Sequence, residues 1–316
     1  MRFAFLEWDK RKYHTLDYEL KKIFGKKVIK LSLNGGFSCP NRDGKIGTRG
    51  CLFCGETGSG EFAAPARLSI KEQINYQIET LKPKWKTNNY IAYYQNFTNT
   101  YGSLPEIKEK YNEPLSVNGV VGVAAATRPD SISDETMDFL YKFNKKTYFW
   151  LELGLQTIHE RTSQLIRRGY DLVCFEDTLE KLNKYNIKTV VHLIYGLPYE
   201  SKEDFLESIR YIANKKIWGI KIHLLYVQKG TDLEKYHNRG ELVYTDREEY
   251  AESIVDALEI LPPEMVIHRL TGDGKRELLI EPRWSLKKFE VLNEIDYEFK
   301  KRKSYQGIRY KKDTTK

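Results

Sequence analysis

From residue 28 onward, short apolar runs alternate with amphipathic stretches of helical period. Residues 28–33, 90–95, 120–125, 148–154, 189–195 and 220–227 are apolar runs of strand length. The stretches between them carry helix signals. Ile74, Ile78 and Leu81 fall at helical spacing within 69–82, and a further helix is expected near 104–111. Ser133 is placed to cap a helix whose first turn holds Asp134 and Glu135, two acids that suit the positive end of the helix dipole. Residues 174–185 continue the series, Ser201 opens another helix with Asp204 three residues on, and 246–260 forms the last. Six strand–helix units with mostly short connections predict an α/β chain built on a parallel sheet, because right-handed crossovers return each strand beside its predecessor. Periodicity alone leaves an open sheet and a curved barrel equally available. The remainder, from Met265, holds one more short apolar run and a basic tail.

Composition changes this picture mainly through charge. The chain has 316 residues, of which 41% are hydrophobic and 13% aromatic, as expected of a folded protein with a sizeable core. No apolar run reaches the length of a membrane span and no secretory leader is evident, so a cytoplasmic protein without a membrane partner is expected. The net charge is +8. Residues 1–30 contribute +5 and residues 300–316 contribute +7, leaving a mildly acidic body. The tail mixes its cations with Tyr305 and Tyr310, a combination that can neutralise phosphates and stack on bases, or simply remain solvated.

Three of the four cysteines crowd one loop as Cys39-Pro-Asn-Arg-Asp-Gly-Lys-Ile-Gly-Thr-Arg-Gly-Cys51-Leu-Phe-Cys54. The clustering argues against a disulfide framework. A closed tetrahedral zinc site needs four ligands, whereas a four-iron cluster held by three thiolates keeps one iron open for a small molecule. The loop follows the first strand, at the sheet edge where α/β proteins build their sites. A zinc site completed by a distant His or Cys is the competing reading.

Further motifs end the later strands. Phe53 precedes the last cysteine; Ala126-Thr127-Arg128-Pro129-Asp130 follows strand three; Glu152-Leu153-Gly154-Leu155-Gln156-Thr157 ends strand four. Arg168-Gly169-Tyr170 comes next, Leu193-Ile194-Tyr195-Gly196-Leu197-Pro198 ends strand five, and Lys229-Gly230-Thr231 follows strand six. In this order, over roughly residues 28–235, the chain resembles the radical S-adenosylmethionine (SAM) superfamily, in the branch of the Elongator catalytic subunit and oxygen-independent coproporphyrinogen oxidase. Cys-Pro-Asn-Arg-Asp-Gly and the late Trp284-Ser285-Leu286-Lys287 and Val291-Leu292-Asn293 are similar to the short bacterial YtqA/YhcC-type members.

The resemblance implies a partial (β/α)6 TIM-like barrel over residues 28–262. A basic extension over 1–27 would precede it, and a closing segment over 263–299 and the basic tail over 300–316 would follow. It implies a [4Fe-4S] cluster on Cys39, Cys51 and Cys54, with SAM on the open iron and an electron donor such as flavodoxin or ferredoxin. By the same resemblance, Phe53, Glu152, Gln156, Arg168, Gly196 and Pro198 would lie against SAM, with Gln156 on the ribose and Arg168 on the carboxylate. Gln95, Thr98 and Asn99 occupy the place of the amino-group-binding motif. The chain departs from the family's pattern at His192, where relatives often carry a ribose-binding Asp, and at Ala124-Ala125-Ala126, where some carry an acid. The first cysteine gap is also longer than the usual three residues.

The YtqA/YhcC-type resemblance further implies tRNA as partner, with removal of the carboxymethyl group from 5-carboxymethylaminomethyl-(2-thio)uridine at the wobble position. A radical SAM enzyme acting on a small molecule such as a tetrapyrrole and a zinc-containing, non-catalytic RNA-binding protein are the alternatives. Cys174, within Leu172-Val173-Cys174-Phe175, is expected in the core. Glu152 could be only a satisfied strand-end group, and His223 a packed one. Arg128 and Asp130 could pair structurally, and His268-Arg269-Leu270-Thr271-Gly272-Asp273-Gly274 could be a plain turn.

Overall fold

The computed structural model describes residues 8–58, 60, 62–272 and 274–311. In chain order the elements are α1 (Leu16–Phe24), β1 (Ile29–Leu33), α2 (Ile70–Leu81), β2 (Tyr90–Tyr94), α3 (Leu104–Asn112), β3 (Val120–Thr127), α4 (Asp134–Lys146) and β4 (Tyr148–Gln156). They continue with α5 (Glu160–Leu165), α6 (Leu172–Lys184), β5 (Lys188–Tyr195), α7 (Lys202–Ala213), β6 (Gly219–Leu224), β7 (Val227–Gln228) and α8 (Asp232–Asn238). The last are α9 (Arg247–Ile260), β8 (Val266–Arg269), β9 (Leu279–Glu281) and α10 (Lys288–Arg302). The capping signals hold. Ser69 and Glu72 close a capping box on α2, Ser201 and Asp204 do so on α7, and Ser133 accepts from Thr136 at the start of α4.

Seven strands form one sheet in the order β1-β2-β3-β4-β5-β6-β8, with β1–β2, β2–β3, β3–β4 and β6–β8 paired parallel. The seventh, β8, is the apolar run seen after Met265. The sixth run is shorter than expected. It stops at Leu224, and after a break Val227 and Gln228 pair antiparallel with β9 instead.

The chain divides into two compact units, one of residues 20–154 and 167–190, the other of 1–19, 155–166 and 191–316. In the first, Tyr94 stacks on Tyr111 of α3, which Phe139, Phe143 and Phe149 surround. Side chains alternate across a strand, so Tyr93 faces the opposite way, where its hydroxyl meets Glu152. One face of these strands is thus an aromatic core and the other is polar. Parallel pairing also brings the carboxyl ends of β1 to β3 to one edge, which positions the loops that follow them.

In the second unit, Val291, Ile295 and Phe299 recur every fourth residue along α10 and are fully buried. The basic tail is part of this unit and not a free arm. Gln306 is 0% exposed; its side chain accepts from the His14 N–H at 2.8 Å and donates to the carbonyls of Pro262 and Met265 at 2.7 and 2.9 Å. Lys301 and Arg302 bond Glu298, Arg302 bonds Asp256, and Arg309 bonds Glu259. Three of the cations that composition presents as available, Lys301, Arg302 and Arg309, are thus paired with neighbouring acids. The chain's first seven residues and its last five, within the expected basic arms, lie outside the described residues.

Candidate active site

The cysteine loop begins at the end of β1 and is laced shut by its own backbone. The Arg42 and Asp43 N–H groups donate to the Cys39 carbonyl, those of Ile46 and Gly47 to Pro40, and that of Gly50 to Asn41 at 2.7 Å. Two side chains finish the closure. Arg42 donates to the carbonyls of Cys54 and Gly55 at 2.8 and 2.7 Å. Asn41, almost fully buried, donates through Nδ2 to the Cys51 sulfur at 3.5 Å and to the Arg167 carbonyl at 2.7 Å. The long first gap is therefore taken up as a compact turn, and its three cysteines form no disulfide and are half-buried. Burial first, then the neighbouring Cys54 and Cys39, push the Cys51 thiol up to about 11, while Arg128 and Asn41 oppose the shift. A thiol raised in this way would gain from a bound cation, which would release its proton.

A second layer supports the loop from the segment between α5 and α6. Arg167 Nε donates to the Gly50 carbonyl at 2.9 Å. Arg168 is buried, and its Nε donates to the Tyr170 carbonyl. Arg128 forms the bidentate pair with Asp130 at 2.9 and 2.7 Å and also reaches the Arg168 carbonyl at 2.8 Å. Both Arg128 and Arg168 lie 4.9 Å from the Tyr170 ring centre, and the Tyr170 hydroxyl closes onto the Gly154 carbonyl. Gly169 belongs here for a steric reason. Its φ is +82°, and a Cβ would come within 2.9 Å of the Asn41 amide oxygen.

The segment after β2 meets the same loop. The Thr98 N–H donates to the Ser38 carbonyl, and Gln95 accepts from Ser32 of β1 at 3.2 Å. Asn99 Nδ2 staples three carbonyls, those of Tyr94, Asn96 and Ala126. The amide oxygens of Asn99 and of Asn96 are buried without a hydrogen-bond partner among the described residues. Two such acceptors suit an ammonium or hydroxyl group of a ligand. Asn96 belongs to the Gln95–Thr100 stretch expected to offer oxygens to the amino group, but nothing local distinguishes which of its asparagines faces inward.

Glu152 accepts from Tyr93 at 2.8 Å and from Trp150 at 3.0 Å, so it is at least a satisfied buried acid. Phe53 is half-buried. Cys174 is not in the core. α6 starts at Leu172, and one turn of helix carries Phe175 inward while Val173 is 60% exposed and Cys174 half-buried.

In the other unit, Gln156 ends β4 with a left-handed φ of +68°, and Thr157 donates to Glu200 at 2.6 Å. Gly196 is left-handed at +85°, as the turn before Pro198 requires. His192 and His223 share a face of β5 and β6, their rings 5.0 Å apart. The 268–274 patch is more than a turn. His268 and Arg269 lie in β8, and Gly272 and Gly274 approach opposite edges of the Tyr226 ring; Asp273 lies outside the described residues.

Comparison with known proteins meets this geometry at the family level. The Radical SAM superfamily model matches residues 43–212, and the Radical_SAM C-terminal domain model matches residues 217–301. YtqA of Bacillus subtilis (strain 168) is 45% identical over 96% of this chain and 94% of its own. The tRNA uridine(34) acetyltransferase of Methanocaldococcus infernus is 27% identical over 63% of this chain and 36% of its own. The solved structure of Elp3 from that archaeon, lacking its N-terminal residues 1–46, has a TM-score of 0.66 at 19% identity and covers 88% of this chain and 64% of that one, a likeness of fold. No helix among the described residues is long and apolar enough to cross a membrane. The chain belongs to the radical SAM superfamily, whose members work with a [4Fe-4S] cluster and S-adenosylmethionine.

Proposed function

We propose that this protein is a tRNA-modifying radical SAM enzyme that converts 5-carboxymethylaminomethyl-(2-thio)uridine at the wobble position to the 5-aminomethyl form. The observation that carries the chemistry is the laced three-thiol loop at the β1 edge, which offers three sulfur donors and so leaves a fourth position of a cluster for SAM. Cys39, Cys51 and Cys54 would hold the cluster, and the unpartnered amide oxygens of Asn96 and Asn99 would accept from the SAM ammonium. The substrate class is supported by the relative whose name places its action on tRNA uridine 34. The YtqA/YhcC-type resemblance supplies the particular reaction.

When bound, the cluster and SAM supply a carbon radical able to take a hydrogen atom. Within the substrate, the hydrogen would leave the methylene between the amine nitrogen and the carboxylate, both of which stabilise the resulting radical. Loss of a proton and of one further electron, to a one-electron acceptor such as an oxidised ferredoxin or flavodoxin, would give an imine. Addition of water then releases the two carbons as glyoxylate and leaves the aminomethyl group. Arg168, Arg128 and Asn41 are buried behind the loop and would limit the approach of water from that side.

Nucleoside mass spectrometry of bulk tRNA from a strain lacking the gene tests this reading. The expected result is accumulation of 5-carboxymethylaminomethyl-uridines with loss of aminomethyl or methylaminomethyl forms. An unchanged profile would sink the tRNA assignment and turn attention to small-molecule substrates.

A further inference from the structure

Tyr199 stands in the short turn between β5 and α7, one residue beyond the Gly196-Leu197-Pro198 motif. Its φ is +64°, a left-handed conformation that a bulky aromatic residue rarely adopts and that Gly or Asn would take at lower cost. Packing does not account for it, because the ring is 61% exposed. The backbone is held in place from elsewhere: Arg161 donates to the Tyr199 carbonyl at 2.8 Å, and the Glu200 N–H closes the turn onto Leu197. A residue kept in a costly conformation with its side chain in solvent points to a role outside the folded core.

A second element of the same unit supplies like chemistry. Tyr236 and Arg239 lie at the end of α8, with the guanidinium 4.7 Å from the Tyr236 ring centre. Arg239 is held above its ordinary basicity by its hydrogen bond to Glu241 first, with smaller contributions from Tyr236 and Tyr199, the two tyrosines that lie toward its guanidinium. Arg239 is more than half exposed, and the neighbouring Val243 is 94% exposed. Tyr199 and Arg239 thus offer planar groups to solvent, and the half-buried Tyr236 ring backs the Arg239 guanidinium.

We infer that Tyr199, with Tyr236 and Arg239, is a stacking platform for an unpaired base of an RNA loop. The inference rests on the proposed RNA substrate and locates where that substrate is gripped. Tyrosine rings and guanidinium planes take up splayed bases of single-stranded RNA, and such stacking tolerates any base because each has a π face. The pairing of Arg239 with Glu241 leaves little net charge, so stacking and not phosphate contact is the main contribution.

The test measures binding of a fluorescently labelled anticodon stem–loop oligonucleotide to the full-length holoprotein by anisotropy. Y199G should weaken binding roughly tenfold, in line with stacking energies of about 1–3 kcal/mol per base. Its melting temperature should not fall, because glycine relieves the left-handed backbone. Y199W should bind as well as the wild type, and a Y236A/R239A variant should lose affinity without losing cluster content. Wild-type binding that Y199G leaves unchanged would overturn the platform and spare the RNA substrate. A wild type that does not bind the stem–loop would overturn both. A change in oligomeric state with unaltered RNA affinity would mark a protein interface and also overturn the platform.

Discussion

The cysteine loop and the basic tail are the two places where residues of one chemical kind crowd together, and the fold treats them in opposite ways. In the loop, backbone and side-chain hydrogen bonds from Asn41, Arg42 and Arg167 shape the chain around three half-buried cysteines that form no disulfide. In the tail, several of the functional groups themselves bond to the fold. Arg302 is bonded to Glu298 and Asp256, Arg309 to Glu259, and Gln306 is buried as a three-way bridge. A local density of reactive groups therefore foretells chemistry only where the fold satisfies the surroundings and leaves the groups unspent.

The sharpest way to break this comparison is at the loop. Replacing Cys39, Cys51 or Cys54 with alanine should abolish the bound iron and sulfide of an anaerobic preparation and all formation of 5′-deoxyadenosine. Retention of full iron content by any one variant would remove that cysteine from the ligand set. The tail should respond in stability instead. Gln306→Ala strips one acceptor and two donor bonds from buried partners and should cost about 2–5 kcal/mol in denaturant unfolding. Deleting residues 300–316 should be worse still, so loss of tRNA binding by that deletion would not by itself identify an RNA-binding arm.

Asn41→Leu comes next. It removes the bonds to the Cys51 sulfur and the Arg167 carbonyl at nearly constant volume, so cluster content should fall while the melting temperature drops only modestly. An unchanged iron content would mean that the backbone turn alone suffices to gather the thiols.

The smallest effect concerns pH. Burial raises the carboxyls of Asp256 and Glu298, but bonds from Lys202 and Arg302 to the first, and from Arg302 and Lys301 to the second, outweigh it and leave both below the usual range. A carboxyl with a lowered folded pKa stabilises the fold above its unfolded value of about 4 and loses that contribution as pH falls through the folded value. Arg302→Ala should cost about 1 kcal/mol or less near neutrality and flatten the loss of stability below pH ~4. An acid-unfolding profile identical to that of the wild type would show these pairs to be energetically idle.

Much of the organisation was legible along the chain. The strand runs and the caps at Ser133 and Ser201 depend on neighbours within a few residues, and those interactions are written locally. The period-four row of Val291, Ile295 and Phe299 went unread, because dense charge surrounds it. Cys174 failed for a related reason. Four apolar residues in a row looked like core, yet a helix shows only part of such a run to its interior.

By itself, the order of residues determined the alternation that builds a parallel α/β sheet, the three-thiol loop after β1 and the motifs that follow later strands, because each is a matter of residue type and short spacing. Tertiary structure decided which of the crowded groups remain available. Asn41 and Arg167 are 126 residues apart, and His14 and Gln306 are 292 apart. Such pairings depend on the path of the whole chain, and a polar side chain gives no local sign of the distant partner that will satisfy it once both are buried.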